Sequence, residues 1–546
     1  MSATVASAPN SSGNLRDSLP DASGRARGVK FTVDSFLQGM HNAMPTTVEI
    51  EYLAGLQRFA AYLGNEPWRR ASTCTGCDIK SHCEERISAF LSQRYDLTIK
   101  CKNNVRCEKN QPKQDFLISQ FGHDDSILVG PMSELKQDAV TDLITKNKVL
   151  VPEMQSLGCG IPCTARSPLN VNAKSNVNCV QEETEATGEA VADILDIVDK
   201  HGFDDVTLEC VAQLCQITPT NPISDAKYIC TKFIERGFWM IHFGIDQTKF
   251  GGWPRLREWW VGARHLVASH DVVSAYYLNL LRSMKLPGNY FDFTSCITVD
   301  DKQRAIEGQR LNIPLRSHGG IREPKKDKSD PNWKHEHYAY FLDKHWPWPP
   351  CLDDFPHIDF SGMTHRQCQA LIYVDKLFPI AKDAYIECLD LNPTLMRILT
   401  GCEDTDEAIG NESSTASHES AVVKSPWKPH PMTLTGATVL ALRIRTDCGI
   451  RIRLAEAFEH FRLIGWEDSM WRQPAVGHTM ESDTDFIELL INMAGNAWSA
   501  LHYCPVTLCL MSTIGKFMKG KDPSLMEAAS PCTPQESQSE SSSDSE

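Results

Sequence analysis

Cys163 is the residue of this sequence best placed to act as a nucleophile. It follows Pro162 in the segment 160–167, after a strand predicted to begin near Val149. A cysteine held behind a proline on a loop at the end of a strand is exposed and fixed in direction, as a thiol nucleophile must be. One cysteine among 20 is more often structural, however, so this segment alone does not identify a catalytic thiol.

Two charged residues follow Cys163 in an order that suits the same site. Glu209 comes 46 residues later, as the only acid in a short apolar strand predicted at 206–211, and Arg257 follows after another 48 residues. A buried carboxyl group needs a partner or a purpose. A thiolate that adds to carbon 6 of cytosine needs an acid at ring nitrogen 3 and a cation at the carbonyl oxygen. These three residues supply the required groups.

Other segments carry a family resemblance when they are read together with these three residues. They are 71–78 (a glycine turn ending at Asp78), 105–108, 127–135, 453–457 followed by Gly465-Trp466, and 493–497. With the segments around Cys163, Glu209 and Arg257, they resemble, in the correct order, the motifs of the cytosine-5 DNA methyltransferase family. The resemblance spans nearly all of 71–514 except one variable stretch, and the sequence is identified as a divergent member of that family.

The resemblance implies both an activity and a set of site residues. The activity is transfer of a methyl group from S-adenosyl-L-methionine to carbon 5 of cytosine in DNA, through a covalent adduct on a cysteine. The implied catalytic residues are Cys163, Glu209 and Arg257. The implied cofactor contacts are Cys74, Thr75, Gly76, Asp78, Glu108, Met132 and Asn496.

The sequence departs from the family pattern at several of these motifs. Cys210 replaces an asparagine that helps to shape the nucleophile loop, and Arg255 and Trp259 stand where a glutamine and a second arginine are usual. Asp78 replaces a second glycine, and Pro131 replaces an acid near the adenine. These changes leave two alternatives open, namely an RNA cytosine-5 methyltransferase and a catalytically degenerate homologue that binds nucleic acid.

The elements that position these residues alternate as in a parallel sheet covered by helices. A capping box at 81–84 predicts a helix through about Gln93, and an apolar face over 190–198 predicts a second helix that stops near Gly202. These patterns predict an α/β fold with a parallel-type sheet, and the resemblance implies that it is a seven-strand Rossmann-like sheet with a smaller inserted target-recognition lobe. The predicted boundaries are a disordered tail at 1–45, a catalytic domain at 46–267, the target-recognition region at 268–426 with a disordered acidic segment at 402–424, a return to the catalytic domain at 427–516, and an acidic disordered tail at 517–546.

The net charge of −15 is unusual for a protein that binds nucleic acid, but it is unevenly distributed. Segment 522–546 has six acidic and no basic residues, and segment 402–424 has six acidic residues and one lysine, so together they hold −11. Segment 302–337 has nine basic and five acidic residues, and is interpreted either as a solvated loop or as a phosphate-contacting surface that includes Arg322, Lys325 and Lys326.

Composition excludes several classes of protein. No segment approaches the length of apolar sequence that a membrane span needs, and the amino terminus lacks the apolar core of a secretory signal. The cysteines then indicate a reducing compartment, and we expect a nuclear or other intracellular, DNA-containing location. The partner is expected to be DNA, with RNA as the alternative, and no membrane; the oligomeric state stays open.

The cysteines also allow two other interpretations, a zinc site and a redox pair. Cys74 and Cys77, with Cys83 and either Cys101 or Cys107, offer thiols for zinc but lack the spacing of a zinc knuckle. Cys159 and Cys163 are separated by three residues, whereas redox pairs usually have two. No metal site is therefore predicted. Trp253, Trp259 and Trp260 are suited to stacking on bases, although core packing is favoured for at least two of them.

Overall fold

The structure is a computed structural model of the 546-residue chain. It describes residues 28–519 except 75, 168–175, 218–221, 289, 317–353, 382–384, 392–424, 426, 429–430, 432–437 and 473–481. The strands are β1 Val29–Lys30, β2 Trp68–Thr73, β3 Cys101–Cys107, β4 Ile127–Val129, β5 Ala139–Thr141, β6 Lys148–Leu150, β7 Ser156–Gly160, β8 Asp205–Cys210, β9 Trp239–Asp246, β10 Leu256–Ala263, β11 Phe291–Asp292, β12 Ile386–Asp390, β13 Leu440–Thr446 and β14 Gly449–Leu454. The helices are α1 Val33–Ala43, α2 Thr46–Leu63, α3 Ile79–Tyr95, α4 Gln111–Phe121, α5 Glu185–His201, α6 Asp225–Glu235, α7 His270–Ser283, α8 Asp301–Leu311, α9 His365–Leu377, α10 Ala457–Leu463, α11 Asp483–Asn496 and α12 Ala500–Phe517.

The central sheet has seven strands in the order β4-β3-β2-β7-β8-β10-β9. Neighbouring strands from β4 to β8 are parallel, whereas β10 is antiparallel to both β8 and β9. The carboxyl ends of the parallel strands therefore share one edge of the sheet with the amino end of β10. This arrangement confirms the predicted α/β fold with a seven-strand sheet.

Helices cover both faces of this sheet, which is why β7 and β8 are buried along their whole length. On one face, α1, α2, α3, α4, α7 and α12 contribute to a large core. On the other face, α5 and α6 pack on a second core. The predicted helix over 190–198 is confirmed as part of α5, which ends at Gly202 with φ +64°.

A second, antiparallel sheet joins β12, β13 and β14. Its residues alternate between two cores, so that Cys388 and Leu442 face the large core while Leu389 and Ala441 face a small one beside α9. Strands β13 and β14 thus pair with β12 across the predicted domain boundary at 426. Local patterns do not reveal pairing between strands that lie this far apart in the chain.

Three elements lie at positions that differ from those predicted. Helix α1 forms within the tail predicted at 1–45, because Val33, Phe36 and Met40 repeat at helical spacing and are buried. Helix α3 begins at Ile79, two residues before the predicted capping box. The strand that leads to Cys163 is β7, whereas Val149 lies in the short hairpin strand β6.

Some predictions fall outside the described residues. These are the acidic segments 402–424 and 522–546, residues 1–27 of the tail, and Arg322, Lys325 and Lys326 of the basic stretch. Among the helices that the structure describes, none combines the length and the apolar character needed to cross a membrane.

The packing of α12 on α2 depends on glycine. A Cβ at Gly515 would lie 2.0 Å from the carbonyl oxygen of Gly55 and 2.6 Å from the backbone nitrogen of Phe59. Since backbone atoms cannot rotate away as side chains do, any larger residue at this position must push the two helices apart.

We therefore expect Gly515→Ala to lower the free energy of unfolding by about 1–3 kcal/mol, the usual cost of overpacking. Helix propensity alone predicts the opposite sign, since alanine is favoured over glycine by roughly 1 kcal/mol. Gly288→Ala is the control, because no atom lies within 4 Å of a Cβ at that position. Chemical denaturation measures both variants, and a stabilised Gly515→Ala protein would contradict the close helix contact.

Candidate active site

Cys163 lies on a short loop directly after β7, at the edge where the parallel strands end. The loop is tied to β8 by a hydrogen bond from the Ile161 N–H to the Glu209 carbonyl, 2.8 Å long. The carbonyl of Cys163 accepts from the N–H groups of Arg166 and Ser167, at 3.0 and 2.7 Å, which closes a turn. The thiol is therefore held at the strand edge and is only partly buried.

Glu209 and Arg257 form an ion pair beside this loop. The Nε of Arg257 lies 2.9 Å from Oε1 of Glu209, and both side chains are about nine-tenths buried, with exposures of 11% and 9%. Arg257 reaches this edge because β10 is antiparallel to β8, with Trp259 opposite Glu209 in the register. The two predicted residues, distant in sequence, thus meet at the end of β8 next to Cys163.

The charges around the thiol act in opposite directions. Burial raises the pKa of Cys163, the carboxylate of Glu209 raises it further, and Arg257 opposes both. Burial also raises the pKa of Glu209, against the influence of Arg257, Arg255 and the indole of Trp498. A thiol with a raised pKa is mostly protonated at neutral pH, and a carboxyl with a raised pKa keeps more of its proton. Both shifts favour the protonated forms of the two groups, and Arg257 opposes both shifts.

Two departures from the family pattern have structural substitutes. The thiol of Cys210, in the place of an asparagine, donates to the carbonyl of Ile161 at 3.5 Å, so a weak hydrogen bond to the nucleophile loop is kept. Arg255 donates from Nη2 to the carbonyl of Ala497 at 2.6 Å, which anchors the end of α11 to the site. Burial lowers the pKa of Arg255 to about 9, so its guanidinium still carries a charge at neutral pH.

The same edge of the sheet holds a turn at Gly76, after β2. Gly76 has φ +69°, and a Cβ there would lie 3.0 Å from the Met493 carbonyl oxygen and 3.1 Å from the Cα of Ala497. Only glycine allows this backbone to pass so close to the end of α11. The segments that resemble the first and last family motifs are thus in contact, as the resemblance implies.

Glu108 follows β3 at this edge and is half-buried. Its Oε1 accepts from the Asn110 N–H at 2.9 Å, and among the described residues its other carboxylate oxygen accepts no hydrogen bond. An oxygen in this position is suited to bind the hydroxyl groups of a ribose.

Asp78, which was also predicted to contact the cofactor, is engaged within the protein instead. It is buried, with one oxygen 2.6 Å from Ser72 Oγ and the other 2.7 Å from Arg106 Nε. Ser81 also donates to it, and Arg106 lowers the pKa of its carboxyl against the effect of burial. The acid at this position joins β2, β3 and α3.

The remaining predicted contacts differ in accessibility. Met132 begins a one-turn helix after β4 and is buried, whereas Asn496 is exposed at the end of α11. Cys74 directly follows β2 and has a positive φ of +52°, and Thr75 lies outside the described residues. The roles of these residues stay predictions.

Trp498 is a site residue that the motifs did not indicate. Its ring packs against Trp259 with centroids 5.2 Å apart, and its Nε1 would lie 3.2 Å from a Cβ at Gly160. Gly160 is opposite Glu209 in the sheet, so the indole covers the strand end that carries the acid. The sequence signal for Trp498 is its place directly after segment 493–497, which resembles the last family motif.

The rival interpretations find no support in the geometry. Cys159 is buried opposite Thr73 in the sheet, with its thiol beside that of Cys74 and not that of Cys163. Within the described part of the chain, the five cysteines considered for zinc form no group with metal-binding geometry. The three tryptophans weighed for base stacking, Trp253, Trp259 and Trp260, are all buried, which confirms core packing.

Comparisons with known proteins bear on the fold. No protein-family model matches the sequence, and none of the curated proteins matches it. Among solved structures, the chain is similar to the S. pombe Dnmt2 methyltransferase, with 10% identity, a TM-score of 0.38 and coverage of 82% of this chain and 98% of that one. It is also similar to the Entamoeba histolytica methyltransferase EhMeth, with 8% identity, a TM-score of 0.40 and the same two coverages.

A third similar structure is a mutant of the Spodoptera frugiperda DNMT2, with 10% identity, a TM-score of 0.35 and coverage of 81% of this chain and 99% of that one.

The opposed charges around Cys163 predict opposite effects of two substitutions. Glu209→Gln removes a negative charge that raises the pKa of the thiol, so the thiolate fraction should increase at mildly alkaline pH. Arg257→Gln removes a positive charge that lowers this pKa, so the thiolate fraction should decrease. We expect the rate at which iodoacetamide alkylates Cys163 to rise and fall, respectively, by roughly threefold or more.

Peptide mapping by mass spectrometry measures this rate at each cysteine separately. The exposed Cys448 serves as an internal control and should react at an unchanged rate in all three proteins. Equal rates at Cys163 in the three proteins would show that these charges do not act on the thiol.

Proposed function

We propose that this protein transfers a methyl group from S-adenosyl-L-methionine to carbon 5 of cytosine in DNA, with Cys163 as the nucleophile. The observation that carries this proposal is the convergence of Cys163, Glu209 and Arg257, from three separate segments, at one strand edge with a buried ion pair of 2.9 Å. A thiol, a carboxyl group and a guanidinium are the groups that addition to a cytosine ring requires.

Each residue has a distinct role in this reaction. Cys163 loses its thiol proton to solvent, and its thiolate adds to carbon 6 while Glu209 gives a proton or a hydrogen bond to ring nitrogen 3, so that carbon 5 becomes nucleophilic. Arg257 binds the carbonyl oxygen of the ring. After methylation, carbon 5 loses its proton to a base, Cys163 leaves carbon 6 as a thiolate, and ring nitrogen 3 returns any proton it received to Glu209. Because the ring must reach a strand edge lined by protein, the base has to leave its stack.

The residues at the neighbouring strand ends fit S-adenosyl-L-methionine. Glu108 would bind the ribose hydroxyls through its available oxygen, and the turn at Gly76 would hold the methionine part. When bound, this cofactor supplies a methyl group on a positively charged sulfur. Asp78 does not fit a role as a ligand, since Arg106, Ser72 and Ser81 occupy its carboxylate.

Cofactor binding distinguishes these two acids. Glu108→Ala should weaken the binding of S-adenosyl-L-methionine by about 1.5–3 kcal/mol, the worth of a hydrogen bond to a charged acceptor. Asp78→Asn should instead lower the stability of the protein, because it breaks a buried ion pair with Arg106. Titration calorimetry measures the affinity and thermal denaturation the stability.

Glu153→Ala is the matched control. This exposed acid pairs with Arg69 near the amino ends of β7 and β2, at the edge of the sheet away from Glu108. It should leave the affinity unchanged. If Glu108→Ala binds the cofactor as tightly as the wild type, the proposed position of the ribose is wrong.

The covalent step can be trapped directly. An oligonucleotide with fluorine at carbon 5 of cytosine cannot lose a proton there after methyl transfer, so the adduct should persist in the presence of cofactor. A denaturing gel should show protein and oligonucleotide in one band, absent in Cys163→Ser and retained in Cys159→Ser. Glu209→Gln should slow its formation by about 10²–10⁴-fold, the usual contribution of general acid catalysis.

The experiment uses matched DNA and RNA oligonucleotides. An adduct with RNA alone would replace DNA by RNA as the substrate. If the protein binds cofactor and nucleic acid but forms no adduct with either, the binding-only alternative would be the better account.

A further inference from the structure

A cluster of three metal-binding side chains lies on the opposite face of β10 from Arg257. The cluster consists of Cys215, at the end of the one-turn helix Ala212–Cys215 after β8, with His242 on β9 and Glu258 on β10. Nε2 of His242 is 2.7 Å from Oε2 of Glu258 and 3.6 Å from Sγ of Cys215. All three ligand atoms lie within 4.8 Å of one another.

The surroundings hold two of these groups in place. The carboxylate of Glu258 lies over Gly244, where a Cβ would be 2.9 Å from Oε1, so only glycine leaves room for it. The ring of His242 stacks on Trp260 with centroids 4.8 Å apart and an interplanar angle of 25°. The imidazole and the carboxylate are therefore oriented before any ligand binds.

The contacts do not suit a nucleophilic relay. In a cysteine–histidine–acid relay the thiol and the acid contact different ring nitrogens, so that the acid orients the ring and the second nitrogen takes the proton. Here Sγ of Cys215 and Oε2 of Glu258 both approach the same nitrogen, Nε2 of His242. Convergence of sulfur, nitrogen and oxygen on one point is instead the arrangement of ligands around a metal ion.

We propose that Cys215, His242 and Glu258 form a binding site for a zinc-type divalent transition-metal ion. Thiolate, imidazole and carboxylate are ligands of zinc, and tetrahedral geometry at normal bond lengths separates sulfur from nitrogen by about 3.6 Å. The observed separation of 3.6 Å matches this value. The corresponding nitrogen–oxygen separation is about 3.3 Å, so the Glu258 carboxylate has to withdraw slightly from its present hydrogen-bond distance.

Binding has a defined proton balance. A cysteine binds a metal ion as the thiolate, so the thiol of Cys215 has to lose its proton when the ion binds. The ion replaces that proton, which is released to solvent, and sulfur donates its electron pair to the metal. Apparent affinity should therefore increase as the pH rises. Water completes the coordination.

The site would connect three elements next to the nucleophile. The metal would tie the turn Ala212–Cys215 to the β9–β10 hairpin, and the guanidinium of Arg166 already joins the nucleophile loop to the carbonyl of Gln213 in that turn. The ion would thus stabilise the segment that supports Cys163 without contacting the reacting base. This inference is independent of the proposed methyl transfer.

The test uses the reduced full-length chain, stripped with a chelator and titrated with Zn²⁺ and, as a spectroscopic probe, Co²⁺. The wild type should bind zinc, show thiolate-to-cobalt charge-transfer absorption, and gain thermal stability with zinc. Cys215→Ser should lose the charge-transfer band and bind zinc at least about tenfold more weakly, and His242→Ala should also bind it more weakly.

Cys448→Ser is the matched control, because Cys448 is an exposed cysteine in the turn between β13 and β14. It should keep the band and the affinity of the wild type. Absence of zinc binding by the wild type would overturn the proposal. An undiminished charge-transfer band in Cys215→Ser would also overturn it, since the thiolate ligand would then lie elsewhere. Elemental analysis and circular dichroism of each variant report the metal content and the integrity of the fold.

Discussion

A carboxylate buried at the end of a sheet strand has to be paired or protonated, and the candidate site is organised around this constraint at Glu209. Removing an ion from water costs several kcal/mol, which an unpaired charge cannot recover. Strand β10 supplies the partner because it runs against β8, and Arg257 thereby reaches the strand end. A parallel strand in the same place would bring its carboxyl end to this edge and leave Arg257 at the opposite one.

Two influences act in opposite directions on the protonation of Glu209. Burial favours the neutral carboxyl of Glu209, whereas Arg257 favours the carboxylate. The carboxylate of Glu209 raises the pKa of the Cys163 thiol and Arg257 lowers it, so the charge of Cys163 depends on that of Glu209. A base that binds to both Glu209 and Arg257 would move them partly apart. Arg257 would then lower the pKa of Glu209 less, so the carboxyl would be protonated more often when the base is bound.

Departures from the family pattern are compensated by neighbouring contacts. Arg255 replaces a residue expected in the base-binding motif, yet it binds the carbonyl of Ala497 and holds the end of α11 against the turn at Gly76. One guanidinium thereby fixes the helix end that lies against this turn. Asp78 shows the converse case, since an acid at a cofactor motif has become part of a buried network with Arg106. The residue type at a motif position therefore does not by itself say which contacts that residue makes in the structure.

The sequence by itself determined the fold class and the order of the site segments, and it is the source of the proposal that Cys163 is the nucleophile, because these depend on local patterns and on chemistry-bearing residue types. It also indicated that Glu209 needed a partner, since an acid in an apolar strand is costly. It did not reveal helix α1 in the predicted tail or the place of β13 and β14 in the second sheet. The tertiary structure alone decided that Arg257 meets Glu209, that Asp78 faces inward while Glu108 stays available, and that Cys215, His242 and Glu258 converge. Each of these outcomes depends on the direction and register of strands, which long-range packing sets and local sequence does not encode.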